Sequence, residues 1–178
     1  MSGARRIIIG CSGSPGSLQA LRLAASLALE GDAALVPVLA WLPPGGDLAD
    51  RRFPSGYLRQ AWRDAAWLRL WTALENAWGG IAPTGRPAEP QVLRGEPGEV
   101  LVAAASQPGD WLIVGAGRRG ALRPLAGARV ARYCLAHAVC PVMAVPPPAL
   151  DQAAGHGLRG WAFRHRALDV DHLTHKPT

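Results

Sequence analysis

The chain has 178 residues, 49% of them hydrophobic, which is enough apolar material for one domain with a sizeable core and too much for a disordered protein. Its formal charge of +6 rests on eighteen arginines and one lysine, a balance that suits acidic partners in general and does not single out nucleic acid. No apolar run approaches the length of a membrane span, and the segment before Gly10 is too short for a signal-peptide core. We therefore expect a cytoplasmic protein with no membrane partner.

Apolar runs that suit strands alternate with helical patterns along the chain. The first strand is predicted at Ile7–Cys11, a continuous run typical of a strand buried on both faces. Capping hydroxyls in Ser14-Pro-Gly-Ser17 begin a helix that Gly31 is expected to stop. A second strand is predicted at Ala34–Trp41, and Pro43-Pro-Gly-Gly46 then opens a polar loop.

A longer helix, Tyr57–Trp78, follows this loop. Its Trp67, Trp71 and Leu74 lie on one face together with Trp78, and this face is predicted to be buried, whereas Trp62 falls off it. The remaining predicted elements are a short strand at Gln91–Arg94, a helix from Pro97 to Ser106, a strand at Trp111–Val114, a fourth helix from about Gly127 to His137, and a last strand at Val142–Val145.

Five strands separated by four helices predict an α/β fold, a five-stranded parallel sheet with helices on both faces in a Rossmann-like arrangement. Ligands of such folds bind beyond the carboxyl ends of the strands, where the winding reverses. The first and fourth strands end in Gly10-Cys-Ser-Gly-Ser14 and Gly115-Ala-Gly117, which face one crevice if the two strands are neighbours. The sequence therefore predicts a small polar or anionic ligand in that crevice.

The segment from Gly115 to Arg129 links a predicted strand to a predicted helix. Unpaired N–H groups of such a turn and helix start point at one spot, and the helix dipole favours negative charge there. No acidic residue occurs between Asp110 and Asp151, and five arginines crowd the region: Arg118, Arg119, Arg123, Arg129 and Arg132. This pattern indicates an anion cradle, and the alternative is a solvated basic loop that only reverses the chain.

Three blocks of the chain resemble the universal stress protein family over roughly residues 5–149. They are Ile8 to Ser17 with Ala20-Leu21, Val92 to Gly95 with Asp110 to Gly115, and Arg132 to Val142. The resemblance implies an adenine nucleotide alpha hydrolase-like domain at residues 5–149. In one branch of the family, ATP occupies the crevice described above.

The resemblance also implies a homodimer formed through the last strand, by Val142, Met143, Ala144 and Val145. Residues 150–178 depart from the family pattern and form a C-terminal tail. Its Trp161, Phe163 and Leu168 would otherwise expose apolar area, so we expect it to dock on the domain or on the dimer partner.

The chain departs from the pattern of the ATP-binding branch. Those members carry Asp at the end of the first strand, where this chain has Ser12. Their second motif is Gly, two residues, Gly, nine residues, Gly and then Ser or Thr, and the aligned positions here are Gly115, Arg118, Ala128 and Arg129. The two arginines either bind phosphate through bidentate hydrogen bonds of their guanidinium groups or occupy the space that the triphosphate would take. An altered nucleotide or anion site, ATP binding in the family manner and no ligand site therefore all stay open.

The candidate nucleotide- or anion-binding residues lie at strand ends and at the start of the fourth helix: Gly10, Cys11, Ser12, Gly13, Ala40, Val114, Gly115, Gly117, Arg118, Ala128, Arg129, Val130 and Ala131. Cys11 is expected to be a buried, inert thiol beside the crevice. No catalytic residue is assigned, because no His, Ser and Asp constellation can be assembled. No metal site is expected either, because the three cysteines and the histidines of the tail lack convergent ligands.

The leading hypothesis is a non-catalytic, dimeric module of the stress response with a degenerate ATP motif, acting through partners or by conformational response. ATP or another adenine nucleotide is the cofactor that the resemblance implies. An ATP-binding or slowly ATP-hydrolysing member is the alternative. A basic nucleic-acid-binding protein is the second alternative, and against it Tyr133 is the only Phe, Trp or Tyr between Trp111 and Trp161.

Overall fold

A computed structural model of the chain describes residues 5–52, 54–80, 82, 84, 88–117 and 126–148. Its strands are β1 (Arg6–Gly10), β2 (Ala34–Trp41), β3 (Gln91–Arg94), β4 (Asp110–Gly115) and β5 (Val142–Val145). Its helices are α1 (Pro15–Gly31), α2 (Gly46–Arg52), α3 (Gly56–Trp78), α4 (Pro97–Ala104) and α5 (Ala126–His137).

The five strands form one all-parallel sheet in the order β3-β2-β1-β4-β5. The chain builds outward from β1 to β3, returns to place β4 on the other side of β1, and continues to β5. The winding therefore reverses between β1 and β4, which are paired from Arg6 opposite Asp110 to Ile9 opposite Ile113. The predicted α/β class and parallel sheet are confirmed.

Each face of the sheet carries its own apolar cluster, because successive strand residues point to opposite faces. Ile7, Ile9, Leu35, Leu39 and Ile113 pack with α1 and α3. Ile8, Val36, Val38, Leu112 and Val114 pack with α4 and α5. Burial on both faces explains why the central strands are continuous apolar runs.

The start of α1 and its last residue follow the predicted pattern, but the residue that caps its carboxyl end is a different one. Ser14 is the N-cap residue, and its hydroxyl accepts a hydrogen bond from the N–H of Ser17 at 3.3 Å. Gly31, the predicted stop, is the last residue of the helix. Asp32 instead adopts the left-handed conformation, with φ of 50°, and closes the helix by donating its N–H to the carbonyl of Ala28.

The segment after Pro43-Pro-Gly-Gly46 contains helix α2, so the prediction of a loop there is wrong. An ion-pair cluster holds α2 in place. The buried carboxylate of Asp50 accepts hydrogen bonds from Arg59 Nε at 2.9 Å and from Arg94 at 2.8 Å, and Arg94 also donates to Asp47 at 2.6 Å. The hydrogen bond from Arg59 is the main reason that the pKa of Asp50 lies below its usual value.

The tryptophans of α3 differ from the prediction at two positions. Trp71, expected in the core, is 50% exposed, and its ring stacks on that of Trp67. Trp62, expected to fall off the buried face, is half-buried and packs against the cluster of α1 and α3. Leu74 is buried as predicted, and Trp78 donates its indole N–H to the carbonyl of Leu21 at 3.0 Å.

An ion pair between the half-buried Arg6 and the buried Asp110 ties β1 to β4 at their amino ends. Arg6 donates to both carboxylate oxygens of Asp110, at 2.9 and 2.7 Å, and the N–H of Gln107 donates to the same carboxylate at 2.8 Å. Burial by itself raises the pKa of Asp110, but the hydrogen bonds from Arg6 and Gln107 outweigh it and bring this pKa below its usual value. The pair lies at the edge of the sheet opposite the carboxyl ends.

At the carboxyl edge, β4 meets the first turn of α1 backbone to backbone. A Cβ added at Gly115 would lie 2.8 Å from the carbonyl carbon of Gly16 and 2.9 Å from the nitrogen of Ser17. Neither atom belongs to a flexible side chain, so no rotamer change relieves the overlap. Glycine at position 115 is therefore required by packing.

We expect Gly115→Ala to lower the free energy of unfolding by roughly 1–3 kcal/mol, the usual cost of overpacking. The matched control is Gly31→Ala at the end of α1, where an added Cβ meets nothing within 4 Å. This control should stay within about 1 kcal/mol of the wild type. Urea denaturation measures both values, and equal effects of the two substitutions would contradict the contact.

Candidate functional site

The carboxyl ends of β1 and β4 lie side by side, so the condition for a single crevice is met. The turn after β1 is fixed by the N–H of Cys11, which donates to the carbonyl of Val38 at 2.8 Å. The turn after β4 is fixed by the N–H of Ala116, which donates to the carbonyl of Val145 at 2.7 Å. Both glycine-containing turns thus leave the same edge of the sheet.

Short hydroxyl side chains line the turn after β1. The Ser12 hydroxyl donates to the hydroxyl of Ser14 at 3.0 Å, and the Ser12 N–H donates to the hydroxyl of Ser17 at 3.3 Å. Ser17 in turn donates to the carbonyl of Ser14 at 3.0 Å. Position 12, which carries Asp in the ATP-binding branch, is therefore neutral here and is part of the cap of α1.

The turn after β4 runs against the first turn of α5. Gly117 has φ of 73°, and a Cβ added there would lie 2.7 Å from the nitrogen of Ala128. Ala128, which replaces a family glycine, therefore lies at the closest approach between turn and helix. Arg129 beside it is exposed. Arg118, the second arginine of the motif, lies outside the described residues.

The other candidates divide between the crevice edge and the core. Gly13 is exposed in the turn after β1, with φ of 75°, and Ala40 is half-buried near the carboxyl end of β2. Val114 and Ala131 are buried in the cluster of α4 and α5, and Val130 packs against it. A Cβ at Gly10 would lie 2.9 Å from Leu101, so Gly10 lets α4 approach β1.

Cys11 has the environment of an inert thiol. It is buried, its thiol donates to the carbonyl of Ile9 at 3.5 Å, and burial raises its pKa to about 12. Burial also raises the pKa of Cys134 to about 11. A thiolate is the reactive form, so neither side chain is a nucleophile near neutral pH. Cys140 is half-buried, and its pKa is also raised by burial.

Sequence reasoning missed a charged group at the same edge of the sheet. The Arg94 guanidinium lies over the ring of Trp41, 5.9 Å from its centroid, where β2 and β3 end. The carboxylates of Asp47 and Asp50 neutralise the charge of Arg94. The Arg94 side chain therefore borders this edge of the sheet but is not free to bind an anion. Asp47 and Asp50 are too far from Arg94 in sequence for any local motif to show the contact.

Within the described ranges, no group of three or more His, Cys, Asp or Glu side chains is arranged to hold a metal ion. No helix among these residues is long and apolar enough to cross a membrane.

A family model described as the universal stress protein family matches residues 3–146, most of the chain. The chain belongs to the universal stress protein family. The predicted resemblance is thereby confirmed, and the sheet order β3-β2-β1-β4-β5 places β1 beside β4 in this member.

Solved structures share the fold of this universal stress protein. A hypothetical protein whose biochemical function was assigned from its structure matches with a TM-score of 0.63 and 14% identity, over 82% of this chain and 97% of its own. A universal stress protein in complex with cAMP matches with a TM-score of 0.52 and 21% identity, over 81% of this chain and 98% of its own. UspA from Lactobacillus plantarum matches with a TM-score of 0.53 and 19% identity, over 82% and 99%. A comparison with curated proteins finds no match.

We expect alkylation of the native protein at pH 8 to modify Cys140 first, since it alone of the three thiols is partly exposed. Cys11 and Cys134 should react only after unfolding in urea. Peptide mass spectrometry over a time course measures each site separately. Modification of Cys11 in the native protein as fast as Cys140 would mean that Cys11 is an accessible thiol of the crevice.

Proposed function

We propose that this universal stress protein is a non-catalytic, dimeric module of the stress response. Its crevice takes an adenine nucleotide or a small anion, and it does so differently from the ATP-binding members. The supporting observation is the pair of glycine-containing turns, after β1 and after β4, that leave one edge of the sheet where the winding reverses.

The adenine nucleotide class is supported by a relative of the same fold. A universal stress protein has been solved in complex with cAMP, and its fold extends over 81% of this chain. At this edge of the sheet Gly10 and Gly115 are already packed against neighbouring elements, so a base would lie beyond them, beside the exposed Gly13 and the half-buried Ala40. A nucleotide with a compact phosphate group fits this edge better than a triphosphate does.

Weak binding of ATP follows from the two turns. Ser12 is neutral and its hydroxyl is engaged with Ser14, so it does not replace the contacts of a carboxylate. At the start of α5, Ala128 brings a methyl group where the family motif has none, against Gly117. The exposed Arg129 offers a charge-assisted hydrogen bond to an anion, worth roughly 1.5–3 kcal/mol, which holds a small anion but does not form a triphosphate cradle.

The absence of catalysis is supported by the partners of the serine hydroxyls. The side-chain hydrogen bonds of Ser12, Ser14 and Ser17 stay within the turn and the cap of α1. In the part of the chain that the structure describes, no histidine or carboxylate accepts a hydrogen bond from these hydroxyls, as an activated nucleophile requires. Capping of α1 accounts for the hydrogen bonds of all three serines.

Restoring the family residues tests the crevice. Ser12→Asp, Ala128→Gly and Arg129→Ser together return the carboxylate, the glycine and the hydroxyl, but they also add one negative charge and remove one positive charge. If the shape of the site governs binding, the triple variant gains affinity for ATP with magnesium and loses affinity for sulfate. We expect this result by calorimetry, with ATP affinity rising at least about tenfold, which is 1.4 kcal/mol.

Loss of affinity for both ligands would mean instead that Arg129 itself grips the phosphates. Unchanged affinity for both would show that the ligand site lies elsewhere. Submicromolar affinity of the wild type for ATP would overturn the proposal and favour an ATP-binding member. The variant Arg69→Ser, at an exposed position of α3 away from both turns, controls for the loss of one positive charge.

The dimer is supported by the position of β5. This strand lies at the edge of the sheet, and exposed apolar side chains accompany it: Leu135, Val139 and Met143. An apolar edge strand is a template for pairing with a second chain. The prolines from Pro146 onward limit how far the pairing extends.

We expect the wild type to be a dimer at micromolar concentration and Met143→Lys to shift it to monomer. The matched control is Leu93→Lys, because Leu93 and Met143 are equally exposed, at 36%, on opposite edge strands. Multi-angle light scattering measures the mass of each. A monomeric wild type, or the same shift in both variants, would contradict dimerisation through β5.

A further inference from the structure

The outward face of α3 carries a second surface, remote from the strand ends. The inward face of this helix packs on α1 and β2 through buried Ala66, Leu70, Ala73 and Leu74. Residues on the opposite side, spaced by three and four, are all exposed. This outer stripe consists of Tyr57, Ala61, Asp64, Leu68, Trp71 and Glu75.

Two large apolar side chains form the centre of the outer stripe. Leu68 is 69% exposed and Trp71 is half-exposed. The Trp71 ring stacks on Trp67 with the centroids 6.4 Å apart and the planes at 24°, and Trp67 packs in turn against the core. Trp71 is therefore held in position before any partner arrives, which lowers the entropy cost of using it as an anchor.

Two carboxylates flank this apolar centre. Asp64 and Glu75 lie three turns apart on the helix, about 16 Å along its axis. The Asp64 carboxylate accepts a hydrogen bond from the amide of Gln60 at 2.8 Å, which leaves its charge in place. Among the described residues no arginine forms an ion pair with either carboxylate. The outer stripe thus carries two carboxylates and no cation, while Arg63 and Arg69 are exposed elsewhere on α3 and Arg22 donates to the carbonyl of Asn76, next to Glu75.

The charges of the outer stripe favour some binding partners over others. Two copies that paired antiparallel through the stripe, centred between Leu68 and Trp71, would bring Asp64 of one copy opposite Glu75 of the other. Like charges at these positions oppose a symmetric dimer. Lipid surfaces and nucleic acids are themselves anionic, so the same carboxylates disfavour them.

We propose that the outer stripe of α3 docks a basic amphipathic helix of another protein. Apolar side chains of that helix cover Leu68 and Trp71, and two of its Lys or Arg residues, spaced by about three turns, meet Asp64 and Glu75. The outer stripe is separate from the crevice. It recognises its partner helix by the basic and apolar residues of that helix.

The probe is a fluorescently labelled synthetic helix with leucines on one face and two arginines about three turns apart. Its twin carries glutamates in place of the arginines. In fluorescence anisotropy with the full-length protein, the basic peptide should bind at least roughly tenfold more tightly than the twin. This preference should fall between about 50 mM and about 500 mM salt, because screening weakens exposed ion pairs.

Three variants locate the binding. Leu68→Gln should weaken the basic peptide by roughly tenfold, as loss of a central apolar contact does. The double variant Asp64→Asn, Glu75→Gln should bind both peptides about equally, as expected if these charges set the preference. Leu48→Gln is the matched control, since Leu48 is 71% exposed on α2, and it should bind as the wild type does. Circular dichroism melting checks that each variant is folded.

Equal binding of the two peptides by the wild type overturns the proposal, and so does an equal loss in Leu48→Gln and Leu68→Gln. Self-association of the wild type that Leu68→Gln abolishes and Met143→Lys does not would assign the stripe to a second copy and equally overturn it.

Discussion

The contact between the end of β4 and the first turn of α1 determines where the crevice lies. The two backbones approach so closely that Gly115 has no room for a side chain, whereas an added Cβ at Gly16 makes only ordinary contact at 3.6 Å. Because α1 follows β1 directly, this contact brings the two strand-end turns together. The serine cap of α1 and the turn after β4 therefore lie close together at this edge of the sheet.

The apolar runs alone predicted much of the sheet. The strands at Ala34–Trp41, Gln91–Arg94 and Val142–Val145 have the bounds that the sequence predicted, since breakers flank each run. The pairing of β1 with β4 does not follow from these runs, because no local pattern in the sequence shows which strands are neighbours. It is decided by how the whole chain packs.

Two features were beyond local patterns for the same reason. Helix α2 follows a Pro-Pro-Gly-Gly segment that reads as a loop, and it is held by Arg94, which is distant in sequence. The exposure of Trp71 was missed because helical spacing groups side chains by direction only. The width of the buried face is decided by α1 and β2, and Trp71 lies just beyond it.

The charges of the described residues separate three surfaces with different chemistry. The crevice edge is neutral at Ser12 and cationic at Arg129, which suits a compact anionic ligand. The ends of β2 and β3 are occupied by internal ion pairs and present no free cation there. The outer stripe of α3 is acidic and apolar, which suits a protein partner. The proposed module thus keeps the family fold while its binding surfaces differ from those of an ATP-binding member.

The central claim, that the crevice does not hold ATP tightly, is tested most directly by the nucleotide content of the freshly purified full-length protein. Denaturation followed by mass spectrometry and quantitation against protein concentration gives the number of nucleotides per chain. The account predicts ATP far below one molecule per chain. Copurified ATP at close to one per chain would contradict it, and would mean that Ser12, Ala128 and Arg129 form a working triphosphate site.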